Sequence, residues 1–400
     1  MTTTCCIVGG GPAGALLPLL LARKGVEVTL LELHKDFDRD FRGDTVHAST
    51  LEVLEQIGLA DGVLKLPHAK MTHVGMHVEG QEIELVNFAR LPSKFPFVAI
   101  MPQGDFLNFL NRQAQKFPNY RVLMSAGVNA LIHDETGRVS GVEYRKDGAS
   151  HQLHAHLVFA CDGRFSSVRK LSGLKAQPLA PPMDVCWLRL PRKKEDGHEI
   201  GGLFMGRGQM LVMLPRPKEW QIGFVLPKGD FKVVRERGLE DFQQAISTMV
   251  PWLGDRVALL KDWRDIHLLS VTSDRLEQWQ QDGLLLIGDA AHVMSPVGGV
   301  GINVAIGDAV AAANILIEPL LSQSVELHHL VEVQTCRQRA MKIIQRMQIL
   351  NQENMVKRAL SDKPFQPPLA VRLLLKIPML LDIPAKMMAL GPDQPRLKNA

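Results

Sequence analysis

Four hundred residues, 46% apolar and 22% charged, with mean hydropathy near zero, exclude a disordered chain and leave enough apolar material for two domains. The formal net charge of +4 is too small to point to nucleic acid without a local cluster. The five cysteines (Cys5, Cys6, Cys161, Cys186 and Cys336) form no C-x-x-C pair, which excludes a zinc site built on that pattern and a disulfide framework.

The chain opens on MTTTCCIVGGG, a strand that runs almost at once into a glycine turn, with no basic stretch followed by a long apolar run. No unbroken apolar window of about 18 residues occurs, so neither a signal peptide nor a membrane span is expected and the chain reads as cytoplasmic. Cys5 and Cys6 lie inside this strand as buried thiols. Gly9-Gly10-Gly11-Pro12-Ala13-Gly14 is a G-x-G-x-x-G turn, AGALLPLLLARKG a helix, and VEVTLLE a second strand ending at Glu32. Gly9 permits the tight turn, Gly11 lets a pyrophosphate approach the backbone, and Gly14 lets the helix pack close on the strand. Pro12 and Ala13 complete the turn and begin the helix, whose unpaired N–H groups suit phosphates. Glu32 can accept hydrogen bonds from a ribose diol and would repel a 2′-phosphate; Leu33 follows it at the rim. Together these residues predict a site for FAD or NAD, and the motif alone does not choose between them.

In FRGDTVHAST, Asp44 and His47 are read as caps of the helix that follows. His73, His77, His154 and His156 sit in alternating segments and are read as solvated strand histidines without metal-ligand spacing. Gln103 opens an apolar helix, GDFLNFLNR. LVFACDGRFSSVRK is a buried strand running into Asp162-Gly163, Ser166 and Arg169. MDVCWLRLP, EIGGLFM, QMLVMLP, WQIGFVL and the segment through IHLLSV read as short strands. LLLIGDAAHVMSPVGGVGINVAIGDA is a further strand-to-helix junction, with Asp289 at the strand end and Pro296, Gly299 and Gly301 leading into an alanine-rich helix. The tail begins with a long helix, QTCRQRAMKIIQRMQILNQENMVKRAL. From Lys357 onward eight Lys/Arg face three Asp, a local +5 that leaves −1 (4 − 5) for the remainder. A basic, apolar tail of this kind either packs on the cofactor domain or makes weak contact with a membrane surface.

Three motifs in this order give a resemblance. The chain resembles the FAD-dependent aromatic hydroxylases, the p-hydroxybenzoate hydroxylase-like group of flavoprotein monooxygenases, which carry G-x-G-x-x-G, then D-G-x-x-S-x-x-R, then G-D-A-x-H-x-x-x-P-x-x-G-x-G-x-N. Here the matching positions are Gly9, Gly11 and Gly14; Asp162, Gly163, Ser166 and Arg169; and Gly288, Asp289, His292, Pro296, Gly299, Gly301 and Asn303. The resemblance implies an α/β chain: a Rossmann-like FAD-binding domain (1–71, 99–175 and 276–320), an inserted, mostly antiparallel substrate domain (72–98 and 176–275), and a C-terminal helical region (321–400). It implies that Asp289 holds the ribityl chain, that Pro296 lies beside the flavin ring, and that the backbone of residues 298–303 runs along the ring's edge. Val300 and Ile302 replace residues the family tends to use there, so their contribution is expected from backbone alone. Gln103 matches a position near the pyrophosphate, and Arg42 a loop that approaches the flavin.

The same resemblance makes alternate residues of the inserted sheet (Trp187, Arg189, Phe204, Met213 and Phe224) candidates for the substrate pocket. Only Tyr120 and Tyr144 are tyrosines and neither lies in that sheet, so a tyrosine relay is unsupported and the general base is unidentified. CWLRLP does not match the W-x-W-x-I-P segment of halogenating relatives. The implied reaction uses NAD(P)H and O2 to hydroxylate an aromatic or other electron-rich small molecule through a flavin C4a-hydroperoxide. The alternatives are a reductase or dehydrogenase on the same fold, and a non-enzymatic carrier that uses the scaffold without flavin.

Overall fold

In the computed structural model, the structure describes residues 1–38, 44–78, 81–196, 200–206, 208–361 and 378–398; Arg42 and the basic stretch 362–377 lie outside them. Thr2–Val8 (β1), Pro12–Arg23 (α1) and Val28–Leu31 (β2) form the opening unit. Every residue of α1 from Ala13 to Ala22 is buried, which explains a sequence apolar all round rather than on one stripe. Further along come Gln103–Ala114 (α2), Ala149–Ala160 (β3), Met183–Pro191 (β4), Gln209–Pro215 (β5), Glu219–Pro227 (β6) and Leu239–Met249 (α3). Leu284–Leu286 (β7), Gly301–Leu321 (α4) and Leu327–Asn351 (α5) complete the elements that carry the site.

The first sheet holds five parallel strands in the order β7, β3, β1, β2 and Tyr120–Leu123. An antiparallel pair, Gly127–His133 and Val139–Lys146, extends it beside the early part of β3. Its register fixes the site. Val8 pairs with Ala160 and with Leu31, and Ala160 pairs with Leu286, so these four residues form one row across the sheet. The next residues along each strand are Gly9, Cys161, Glu32 and Ile287. The glycine turn, the Asp162 turn and the Gly288-Asp289 turn therefore leave the sheet along one edge, the carboxyl edge where ligands bind in open parallel sheets.

A second sheet of seven strands lies over that edge, in the order His267–Leu269, β4, β6, β5, Ile200–Gly206, His73–Val78 and Gln81–Asn87. All its pairings are antiparallel except that of Ile200–Gly206 with His73–Val78. Its outer face carries Leu188, Leu211, Ile222 and Phe224, which pack with Phe242 and Ile246 of α3. Its inner face turns Trp187 and Gln221 toward the first sheet.

The run Val297–Leu321 is, among the described residues, the one helical stretch long and apolar enough to cross a membrane, and 72% of its apolar window is buried inside the protein. It is the core helix behind the first sheet. In the tail, Ala385, Ala389 and Leu390 join the main core; the helix Pro378–Ala389 packs chiefly against Gln81–Asn87 and Phe88–Arg90 at the end of the second sheet rather than on the cofactor-binding unit, which the tail reaches further on, through Asp393, Arg396 and Leu397.

Candidate active site

A cavity of about 590 Å3 opens at the carboxyl edge, bordered by all three motifs. Its floor is the glycine turn. Gly9 has φ +93°, and a Cβ there would lie 2.5 Å from the Cα of Asp162; a Cβ on Gly14 would lie 1.9 Å from the Gly9 carbonyl oxygen. These two glycines close the turn against its neighbours. At Gly11 the nearest atom to an added Cβ is 3.7 Å away, so the backbone there stays accessible from the cavity. Gly11 caps α1 without a side-chain hydrogen bond, which leaves first-turn N–H donors and the positive end of the helix dipole for an anion. Glu32 is only 4% exposed; its Oε2 accepts from Gly10 N at 2.7 Å and its Oε1 from His34 N at 2.9 Å, which fixes the carboxylate at the rim beside Leu33. Gln103, at the start of α2, borders the same space. A turn that a Cβ would destroy, uncapped helix donors and a rim carboxylate are the donor set that a dinucleotide such as FAD requires.

Asp162 borders the cavity and also ties down the start of the helix Ser167–Ser172, whose N-cap is Ser166, accepting from Ser166 Oγ and, at 3.1 Å, from Val168 N. Burial raises its carboxyl, partly offset by those bonds. Arg169 does not reach the cavity. It donates to Asp274 at 3.0 Å, and Asp274 in turn accepts from Val293 N at 3.2 Å, so the arginine braces the second motif against the third.

In the third motif Asp289, Pro296, Gly299, Gly301 and Ile302 border the cavity. Gly299 has φ +62°, and a Cβ there would lie 2.6 Å from Thr45 Oγ1, which donates to the Gly299 carbonyl at 2.7 Å. An added Cβ on Gly301 would meet nothing within 4 Å, and α4 starts there with no side-chain cap, giving a second helix N-terminus at the cavity. Val300 and Asn303 do not border it. Val300 is buried, and Asn303 Oδ1 accepts from Thr50 Oγ1 at 2.8 Å, because side chains radiate outward from a helix whose end faces the ligand. His292 is also structural: its Nε2 lies 2.8 Å from Asp308, which accepts from Gly288 N at 3.0 Å and Arg337 Nε at 2.9 Å. Burial pushes the Asp308 carboxyl up, yet His292 and Arg337 together hold it below the usual carboxylate range.

The opposite wall comes from the second sheet and from the segment after the undescribed residues 39–43. Trp187 sits across from Gly223, where a Cβ would lie 3.0 Å from the indole, so the missing side chain makes room for a flat ring. Leu214, Leu269, Val271 and Met294 extend this apolar surface. Asp44, 4% exposed, borders the cavity and pairs through Oδ1 with Arg216 Nη2 at 2.6 Å; Arg216 is held from behind by Glu219 at 2.9 Å. Asp44 Oδ2 and Gln221 Oε1, both buried, have no hydrogen-bond partner among the described residues. Burial raises the Asp44 carboxyl against the opposing pull of Arg216, Arg189 and Gln221.

Several expectations are corrected here. Phe204, Met213 and Phe224 belong to the outer core, not the cavity; Phe224 packs on Phe242 with ring centroids 4.9 Å apart. Arg189 lies on the inner-face parity but pairs with Glu219 at 3.4 Å and does not border the cavity. His47 does hold the N-cap position of Ala48–Gln56 but makes no side-chain cap bond, and Asp44, three residues earlier, does not cap that helix. The histidines 77 and 156 are half-buried, His77 stacked on Phe204 at 4.3 Å and His156 accepting from Val325 N at 3.3 Å. Asp44, Gln221 and Arg216 escaped the sequence reading because their only signal is spatial.

Comparison with known proteins places these features in a family. A family model described as an FAD binding domain matches residues 2–347. A 6-methylpretetramide 4-monooxygenase of Streptomyces rimosus is 32% identical over 88% of this chain and 84% of its own. A pentachlorophenol 4-monooxygenase of Sphingobium chlorophenolicum is 25% identical over 76% of this chain, which spans just 56% of that relative. Among solved structures, PqsL of Pseudomonas aeruginosa, a probable FAD-dependent monooxygenase, superposes with a TM-score of 0.77 at 19% identity, covering 91% of this chain and 98% of its own.

Proposed function

From the premise that the chain belongs to the FAD-binding family of aromatic-ring monooxygenases, we propose that it hydroxylates a phenol held between the glycine-rich wall and Trp187. It is an FAD-dependent oxidoreductase of the monooxygenase class, with NAD(P)H as reductant and O2 and a small molecule as substrates; the reductase alternative is not favoured by relatives named as monooxygenases. The observation that carries the substrate reading is the buried, cavity-lining Asp44, whose Oδ2 has no hydrogen-bond partner among the described residues. An orphaned buried carboxylate oxygen asks for a donor, and a phenolic hydroxyl supplies one. Two of the relatives are named for phenols, pentachlorophenol and para-nitrophenol.

The chemistry FAD supplies when bound is reduction by NAD(P)H followed by transfer of one oxygen atom of O2 to an electron-rich carbon, the other atom leaving as water. The uncapped start of α1, with Gly11, would bind the pyrophosphate, while Glu32 would take ribose hydroxyls and Asp289 the ribityl chain. Pro296 and the backbone of Gly299 and Gly301 would bound the ring, and the start of α4 would favour negative charge on it by about 0.3–1 kcal/mol. Asp44 would accept the phenol proton and raise electron density on the ring, with Arg216 holding its geometry. Trp187, Leu214 and Met294 would orient the ring and exclude water.

The test is turnover with isotopically labelled O2 and a panel of phenols. Label in the product, lost about 100-fold in kcat/KM for Asp44→Asn with FAD retained, is expected for a general base. Reduced cofactor consumed with no label in any product would remove the hydroxylase reading.

A further inference from the structure

The inward face of α5 is polar where a core helix is ordinarily apolar. Gln345, Gln348 and Gln352, spaced by three and four residues, are 1%, 5% and 4% exposed. All three turn to one irregular segment, residues 293–297, four of whose members (Val293, Met294, Ser295 and Pro296) border the cavity. Gln348 accepts from Ser295 N at 3.3 Å and donates to the carbonyls of Ser295 and Val297, each at 2.8 Å. Gln352 donates to Ser295 Oγ, and Gln345 donates to the Asp274 carbonyl at 2.9 Å and, at 3.5 Å, to the carbonyl of Val293. The helix runs on past Asn351 through a single π turn, Gln352–Val356, a widening common at functional sites.

A buried backbone segment outside helix and sheet needs partners for its N–H and C=O groups. A primary amide carries donor and acceptor in one plane, so Gln348 pairs with residue 295 as a neighbouring strand would. Burying three long amides costs desolvation and side-chain entropy that leucines on the same face would not. Leucines, however, would leave the loop's backbone groups unpaired. The matched family model ends at residue 347, so Gln348 and Gln352 lie beyond it.

We propose that Gln348, supported by Gln352, is a positioning residue that sets the height of Ser295 and Pro296 over the cavity and so the spacing between its cofactor wall and its substrate wall. The inference rests on the FAD reading of the cavity for its consequence, but the clamp itself is testable without it.

The full-length protein is compared with Gln348→Leu, which loses all three bonds, and Gln348→Glu, which keeps the acceptor and loses both donations. Amide hydrogen exchange over residues 293–297 is expected to accelerate about tenfold or more in Gln348→Leu and at least as much in Gln348→Glu, whose buried carboxylate would face the carbonyls of Ser295 and Val297, with the glycine turn after β1 unchanged. In the holoprotein the visible flavin spectrum shifts and product formed per NAD(P)H consumed falls severalfold, while the KM for NAD(P)H holds. Unchanged exchange and an unchanged spectrum in a folded variant overturn the proposal. Should Gln348→Leu fail to fold, Gln352→Met removes only the bond to Ser295 Oγ; faster exchange at residue 295 supports the clamp and native exchange rejects it. A wild-type protein that holds no FAD defeats the reading of the cavity, and the exchange data still decide the clamp.

Discussion

His47 shows how burial alone turns one side chain into a pH liability. It is 1% exposed beneath the cavity loop, and burial depresses its imidazole to about 4, outweighing the backbone groups of Gly299 and Met388. A folded pKa below the unfolded value of about 6.5 means that the unfolded chain takes up the proton first as pH falls. The histidine's contribution is therefore intact above about pH 6.5 and is lost between there and about 4. The difference of about 2.5 units corresponds to about 3 kcal/mol. Urea unfolding at pH 7 and pH 4.5 should show the wild type losing about 2–3 kcal/mol more than His47→Gln; equal losses would show that His47 does not titrate on unfolding. Asp44, three residues earlier, marks the limit of legibility at this scale. Beside a helix start it reads as a cap, and only Arg216, 172 residues further on (216 − 44), turns it into a cavity carboxylate.

At the scale of elements, the cofactor half was largely readable and the substrate half only in part. A strand, a glycine turn and a helix each announce themselves locally, and Gly9, Gly11, Pro12, Ala13, Glu32, Leu33 and Asp289 all come to the cavity. In β4, β5 and β6 the period of two was equally plain, but its phase was not. Amphipathic α3 buries the outer face, so both faces of the sheet are apolar and alternation no longer distinguishes core from pocket. Trp187 has the cavity phase and Phe224 the core phase. Phe224→Ala should cost about 3–5 kcal/mol of stability with substrate KM unchanged. Trp187→Leu should do the reverse, raising KM severalfold while the Tm stays near the wild-type value. A KM effect at Phe224, or a large stability loss at Trp187, would show the sheet phased the other way.

For the whole molecule, sequence distance is cancelled by sheet order. Residues 9, 162 and 289 become neighbours because β7, β3 and β1 are adjacent and parallel in one register, which no local pattern encodes. The assembly is then locked by a buried charge network. Asp308, 0% exposed on α4, takes Gly288 N and His292 from the third motif and Arg337 from α5, and Arg337 also holds Asp393 of the tail. Four segments thus meet at one carboxylate behind the cavity. Removing one partner of such a pair leaves an uncompensated buried charge, at about 3–5 kcal/mol, whereas removing both is often near neutral. Arg337→Met should therefore be strongly destabilising and should loosen FAD retention, because Asp308 positions the Gly288-Asp289 turn. Asp308→Asn combined with Arg337→Met should recover most of the stability but not the retention, since the neutral amide still has to serve Gly288 N and His292 at once. Unfolding curves and FAD dissociation for the two single variants and the double measure this directly. Strictly additive stability losses would mean that the two residues act independently and that the four segments are held by packing alone.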